Sequence, residues 1–97
     1  MLAIKDIKKI LKKNKKLLEE KYKVKKIGVF GSYIRKEANK KSDIDVLVEF
    51  SETPDLFEFI ELENFLRKLL KIKVDLVTKE ALKPLIKKEI LRETAYI

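Results

Sequence analysis

Apolar residues recur at intervals of three and four near the start of the chain, with lysines between them. This spacing predicts an amphipathic helix over residues 3–22, because it places the apolar side chains on one helix face. The pattern then changes to short apolar runs rich in β-branched residues. We expect strands at 24–30, 44–50 and 72–77, since each run is short and is followed by polar or turn-forming residues.

Two further helices are predicted by their start signals. At positions 53–55, Thr-Pro-Asp offers a capping hydroxyl, a proline suited to the first turn and an acid near the positive helix end. We expect that helix to end near Lys71. Thr78 predicts the cap of a last helix that runs to about Leu91. Pro84 lies inside this segment, so it either kinks the helix or marks a later start.

The predicted order is helix, strand, short helix, strand, helix, strand, helix. It indicates an α+β (or α/β) domain, in which helices flank a small mixed sheet. Ninety-seven residues suit one domain, and no linker-like tract interrupts them, so we predict a single domain over residues 1–97. No apolar run is long enough for a membrane span, and lysines interrupt the apolar stretches near the N-terminus. We therefore expect a cytoplasmic protein.

Cysteine and histidine are both absent from the sequence. Their absence excludes disulfides, thiol nucleophiles, zinc fingers and histidine bases. Any metal is therefore expected to be a hard cation bound by oxygen. Charged residues make up 41% of the chain, and lysine, glutamate and isoleucine are abundant. This composition is typical of heat-adapted proteins, although an AT-rich genome produces the same bias.

The net charge of +8 is concentrated at one end of the chain. Residues 1–26 contain eleven lysines and three acidic residues, and the remaining residues are balanced. A basic helix can bind nucleic acid, but lysines between apolar positions more often form a solvated helix face. We therefore do not expect a nucleic-acid partner.

A glycine-serine pair, Gly31 and Ser32, follows the first predicted strand and precedes a possible short helix. Glycine lets phosphate oxygens approach the backbone, and a helix N-terminus favours anions. On its own the pair indicates only a turn. It matches neither a Walker A loop nor the dinucleotide-binding glycine fingerprint. Arg35 follows closely, and its guanidinium could contact a triphosphate.

Three aspartates accompany this turn. Asp43 and Asp45 are two residues apart at the start of a strand, which places both carboxylates on one face, with the two residues about 6–7 Å apart at the backbone. Such like charges repel unless a cation lies between them, and Mg²⁺ accepts carboxylates together with substrate phosphates. Asp75 would join them if the second and third strands are neighbours, and three aspartates could then hold two divalent ions. The alternatives are solvated strand-end carboxylates and an ion pair of Asp75 with a lysine.

The stretch 31–48, GSYIRKEANKKSDIDVLV, followed by an aspartate one strand later, resembles the DNA polymerase β-like nucleotidyltransferase superfamily. It is similar in particular to the minimal nucleotidyltransferase (MNT) family, and the resemblance covers nearly the whole chain. The resemblance implies that Asp43 and Asp45 hold two Mg²⁺ ions and that Asp75 completes the metal site. It also implies that Gly31 and Ser32 bind the β- and γ-phosphates of ATP.

The same resemblance implies that Arg35 contacts a phosphate of ATP. It also implies an activity for the chain and a partner protein. The activity is transfer of AMP from ATP to a tyrosine of a partner protein, with release of pyrophosphate. The partner is a HEPN-family RNase toxin, for which the chain is the antitoxin. We also expect the acceptor surface to come from another chain, because 97 residues leave no room for an acceptor-binding domain. Two alternatives stay open: a non-catalytic module that masks its partner, and nucleotide transfer to RNA.

Overall fold

The computed structural model describes residues 2–39 and 41–97. Within these ranges the chain forms four α-helices and four strands. The helices are α1 (Ile4–Lys13), α2 (Lys15–Tyr22), α3 (Leu56–Leu70) and α4 (Pro84–Glu93). The strands are β1 (Val24–Phe30), β2 (Ile44–Phe50), β3 (Val74–Thr78) and β4 (Ala95–Tyr96).

The strands form one mixed sheet in the order β3-β2-β1-β4. β1 pairs antiparallel with both β2 and β4, whereas β2 pairs parallel with β3. A parallel pair needs a long connection, and α3 provides it between β2 and β3. The predicted α+β domain with a small mixed sheet is therefore confirmed.

The main core lies between one face of the sheet and the first three helices. Helix residues such as Leu11 and Leu66 are fully buried there against Val46 of the central strand. A smaller apolar cluster occupies the opposite face. It contains Phe30 and Leu47, with residues of α4 packed against them.

The first predicted helix is divided at Asn14, so the prediction of one continuous helix was wrong. The Asn14 side-chain Nδ2 donates a hydrogen bond to the Ile10 carbonyl at 2.9 Å. Asparagine side chains compete in this way with helical backbone hydrogen bonds. α1 therefore ends at Lys13, and α2 begins at Lys15.

The third helix begins at a different cap from the predicted one. Asp55, not Thr53, is the N-cap: its side chain accepts from the Glu58 N–H at 2.8 Å. The Glu58 carboxylate in turn accepts from the Asp55 N–H at 3.0 Å, which completes a capping box. The helix ends at Leu70, and Lys71 follows with a positive φ of 57°, close to the predicted end.

Thr78 caps only the short 3₁₀ turn Lys79–Ala81, where its hydroxyl accepts from the Ala81 N–H at 3.3 Å. α4 begins later, with Pro84 in its first turn. Proline suits that position because the first helical N–H groups have no intrahelical partner. Of the two alternatives for Pro84, the later start is therefore the one observed.

The strand β4 was not predicted, because two residues are too few to show a period. It pairs with Gly28 and Val29 of β1. A Cβ atom at Gly28 would lie 2.6 Å from Thr94 Cγ2 and 2.9 Å from the Ala95 carbonyl oxygen. The glycine in the middle of β1 thus permits the close approach of the C-terminal segment. Separately, no helix in the described part of the chain is long and apolar enough to cross a bilayer.

Candidate active site

Strand pairing brings two of the three aspartates together. Asp45 is the second residue of β2, Asp75 is the second residue of β3, and the parallel register pairs them directly. On the other side of β2, Asp45 is opposite Phe30, the last residue of β1. The turn that begins at Gly31 therefore starts beside the Asp45–Asp75 pair.

The alternation of β2 directs the aspartate away from the main core. Val46 and its even-numbered neighbours point into that core, whereas Asp45, Leu47 and Glu49 share the opposite face. Leu47 is completely buried near α4, but Asp45 at the strand end keeps part of its surface accessible. Glu49 lies 3.9 Å from the Lys79 ammonium at the other end of the strand.

Gly31 provides the space that the Asp45 carboxylate occupies. Its φ is +78°, a left-handed conformation that side chains other than glycine rarely adopt. A Cβ atom there would collide with Asp45 Oδ2 and lie 3.0 Å from Asp45 Cγ. Ser32 follows directly and is partly exposed. Glycine is therefore required here by both the turn and the carboxylate.

The acidic groups act on one another. Burial first, and then the charges of Asp75 and Asp43, raise the pKa of Asp45 above its usual range. Burial and the charge of Asp43 also raise the pKa of the Tyr33 hydroxyl. We call Asp43, Asp45 and Asp75 the aspartate edge, because the charges of Asp43 and Asp75 both act on Asp45 at one end of the sheet.

The donor chemistry of the aspartate edge fits a hard divalent cation. Mg²⁺ binds through one or two carboxylates and completes its shell with waters and substrate phosphates. Asp45 and Asp75 are paired on neighbouring strands, and a cation between their carboxylates would relieve the repulsion. Across residues 2–39 and 41–97, no three acidic side chains are arranged as a finished metal site. The assignment of all three aspartates as Mg²⁺ ligands thus stays a prediction.

Arg35, the predicted phosphate contact, forms ion pairs with two glutamates. Its Nη1 lies 2.7 Å from Glu93 Oε1, and its Nε lies 2.8 Å from Glu37 Oε1. The charge of Arg35 opposes the rise in the pKa of Asp45, so the guanidinium acts on the aspartate edge. Its role as a phosphate contact remains a prediction.

Glu93 is the residue of this region that sequence reasoning missed. It is the last residue of α4, and the charge of its carboxylate also contributes to the raised pKa of Asp45. No local signal in the sequence pointed to this role, because the predicted last helix ends near Leu91, before Glu93.

A family model for the nucleotidyltransferase domain matches residues 5–97. A Methanocaldococcus jannaschii protein, provisionally named a protein adenylyltransferase, is 59% identical over 98 residues. The match covers 100% of this chain and 100% of that protein. Protein adenylyltransferase MntA of Thermococcus cleftensis is 52% identical over 97 residues, covering 100% of this chain and 98% of that protein.

Solved structures show the same relationship. One provisionally described minimal nucleotidyltransferase has a TM-score of 0.82 and 30% identity, covering 97% of this chain and 95% of that one. A chain of a toxin–antitoxin complex with AMP-PNP has a TM-score of 0.69 and 27% identity. The match covers 98% of this chain and 72% of that one. A third structure is the complex of tri-AMPylated Shewanella oneidensis HEPN toxin with MNT antitoxin. One of its chains has a TM-score of 0.66 and 26% identity, and the match covers 93% of this chain and 70% of that one. The resemblance drawn from the sequence is confirmed, and the chain belongs to the nucleotidyltransferase domain family.

Proposed function

We propose that this chain is a Mg²⁺-dependent protein adenylyltransferase, which transfers AMP from ATP to a tyrosine of a HEPN-type toxin and so acts as its antitoxin. The observation that carries the proposal is the pairing of Asp45 with Asp75 beside the positive-φ Gly31. The named adenylyltransferase relatives and the complex containing an AMPylated HEPN toxin support the same activity and partner.

Each part of the site has a task in this reaction. Asp43 and Asp45 would hold two Mg²⁺ ions, and Asp75 would complete their ligand set. When bound, Mg²⁺ would supply Lewis-acid stabilisation of the phosphate charge and lower the pKa of a hydroxyl nucleophile. Gly31 and Ser32 bind the β- and γ-phosphates of ATP, with the AMP-PNP complex of a structural neighbour as support for this nucleotide.

The reaction is an in-line displacement at the α-phosphate. The acceptor tyrosine oxygen forms a bond to the α-phosphorus, and the bond from that phosphorus to the bridging oxygen of pyrophosphate breaks. Asp75 is exposed on the edge strand β3, where it helps to remove the tyrosine proton. No histidine is needed, which agrees with a sequence that contains none.

The acceptor comes from another protein. Tyr33, the tyrosine nearest to the Gly31 turn, is only 5% exposed and packs in the main core. The exposed Asp75 carboxylate at the edge of the sheet leaves a side from which a partner segment can enter. This arrangement favours transfer to a partner over self-modification. The cytoplasmic location and the heat-adapted character remain predictions from the sequence.

The test is the intact mass of a HEPN-type toxin after incubation with the chain, ATP and Mg²⁺. We expect a mass gain of one or more AMP units. The gain should be absent with Asp43→Asn and retained with Glu49→Gln, which removes an acid from the remote end of β2. A tight complex without any mass gain would instead support the masking alternative. Transfer of label from ATP to RNA would support the third alternative.

A further inference from the structure

The end of α4 contributes an acid to the candidate active site from a distant part of the sequence. Glu93 Oε1 accepts a hydrogen bond from Arg35 Nη1 at 2.7 Å, although the two residues are 58 positions apart. The Glu93 side chain is only 22% exposed, compared with 52% for Arg35. The Arg35 backbone N–H donates to the Gly31 carbonyl at 3.1 Å, and Gly31 lies directly against the Asp45 carboxylate, so the pair borders the aspartate edge.

Helix stability does not account for an acid at this position. The C-terminal end of a helix carries partial negative charge, which disfavours a carboxylate in the last turn. Glu93 occupies that turn of α4. The ion pair with Arg35 offsets the unfavourable charge, and it links the helix end to the turn that follows Gly31.

The position of Glu93 is fixed by the sheet. Directly after it, the Thr94 hydroxyl donates to the Ile90 carbonyl at 2.6 Å. The next two residues form β4 and pair with β1, and the Ile97 N–H donates to the Ile27 carbonyl at 2.9 Å. The close approach at Gly28 shows how tightly this segment lies against β1. Glu93 is therefore a fixed anchor relative to the strands that carry the aspartates.

Glu37, the second partner of Arg35, lacks these properties. It is two residues from Arg35 and 55% exposed, so it belongs to the same surface turn as the group it contacts. A carboxylate on the same turn cannot fix the guanidinium relative to the sheet. A guanidinium has five N–H donors in a planar fork, so Arg35 can be held at one side and still offer donors to a phosphate.

We propose that Glu93 is a positioning residue, which holds the Arg35 guanidinium beside the aspartate edge so that its remaining N–H donors receive the triphosphate of ATP. This inference rests on the proposed function, since it concerns the same nucleotide site. It assigns the α4–β4 segment to that site, although the segment carries none of the predicted metal or phosphate ligands.

The test compares Glu93→Ala with the matched control Glu37→Ala, using Mg²⁺·ATP as the probe in isothermal titration calorimetry. Removal of a carboxylate near a triphosphate, acting through charge alone, would strengthen ATP binding. Positioning predicts the opposite: about tenfold weaker binding for Glu93→Ala, the size of one charge-assisted hydrogen bond, and less than a twofold change for Glu37→Ala. In the transfer assay KM for ATP should rise by the same factor while kcat stays within twofold, because ground-state and transition-state binding are lost together.

A double-mutant cycle separates positioning from general destabilisation. In an Arg35→Ala background, addition of Glu93→Ala should not weaken ATP binding any further, because there is no guanidinium left to position. If Glu93→Ala folds poorly, Glu93→Gln takes its place in the test, because it keeps the side-chain volume. Glu93→Gln should also weaken ATP binding. Unchanged or tighter ATP binding in both Glu93 variants would overturn this inference but leave the proposed function standing. Failure of the unmodified chain to bind Mg²⁺·ATP would overturn the proposed function as well.

Discussion

Successive residues of β2 point to opposite faces of the sheet, and the two faces differ in what they contact. Ile44, Val46 and Val48 are completely buried in the main core. On the other face, Asp45 joins the aspartate edge, and only Leu47 is fully buried. One strand therefore supplies apolar packing on one side and the acidic chemistry on the other.

The comparison shows why the acidic site is tolerated in so small a protein. Burial raises the pKa of Asp45, and the neighbouring charges of Asp75 and Asp43 raise it further, so the ionised carboxylate is costly. The buried apolar face of the same strand holds Asp45 in place despite that cost.

Asp45→Asn should abolish the proposed chemistry, because it removes a predicted Mg²⁺ ligand without changing the side-chain volume. We expect AMP transfer to fall by at least about 100-fold, the scale for loss of a major electrostatic contact in a transition state. Glu49→Gln, on the same face of β2 but beside Lys79, should keep most of the activity. Intact-mass kinetics of the partner protein measures both, and equal losses in the two variants would contradict the assignment of Asp45.

Val48→Ala changes the buried face of the same strand. It should lower the free energy of unfolding by about 2 kcal/mol, because it leaves a small cavity in a close-packed core. Urea unfolding measures this loss. AMP transfer per folded molecule should stay unchanged, since Val48 lies at the end of β2 remote from the aspartate edge. A large loss of transfer at full folding would show that the two faces are not separable.

Gly31→Ala tests the contact between the turn and the aspartate. Gly31 has φ +78°, and a residue with a side chain loses about 1–2 kcal/mol of stability in this left-handed conformation. The added Cβ would also displace the Asp45 carboxylate, so transfer should fall together with stability. Thermal unfolding and the transfer assay are both needed. Loss of stability with normal transfer would show that the position of Asp45 beside Gly31 is unimportant for catalysis.

The smallest effect concerns pH in the metal-free protein. The folded state raises the pKa of Asp45, so between the usual carboxyl pKa and this raised value the folded chain binds more protons than the unfolded chain. The contribution of Asp45 to the free energy of unfolding therefore falls as pH rises through that window. Asp45→Asn should melt a few degrees higher than the original chain at pH 7 in EDTA, and no higher at a pH below the window. Added Mg²⁺ should narrow the gap at pH 7.

Much of this architecture was predictable from local patterns. The bounds of β1 and β2 agree with the predicted strands 24–30 and 44–50, because apolar alternation and the following turn residues act within a few positions. The same alternation placed Asp45 on the face opposite Val46. The helix bounds were less well predicted, since the side chains of Asn14 and Asp55 form capping or competing hydrogen bonds that the hydrophobic period does not report.

Local residue patterns were enough to predict the α+β class, the glycine turn and the pair Asp43 and Asp45 at the start of a strand, because each depends on neighbours in the chain. The tertiary structure decided that Asp75 pairs with Asp45, that Gly28 meets Thr94, and that Glu93 reaches Arg35. These contacts join segments that are far apart in sequence. Their geometry depends on strand register and helix packing, which no local period or propensity encodes.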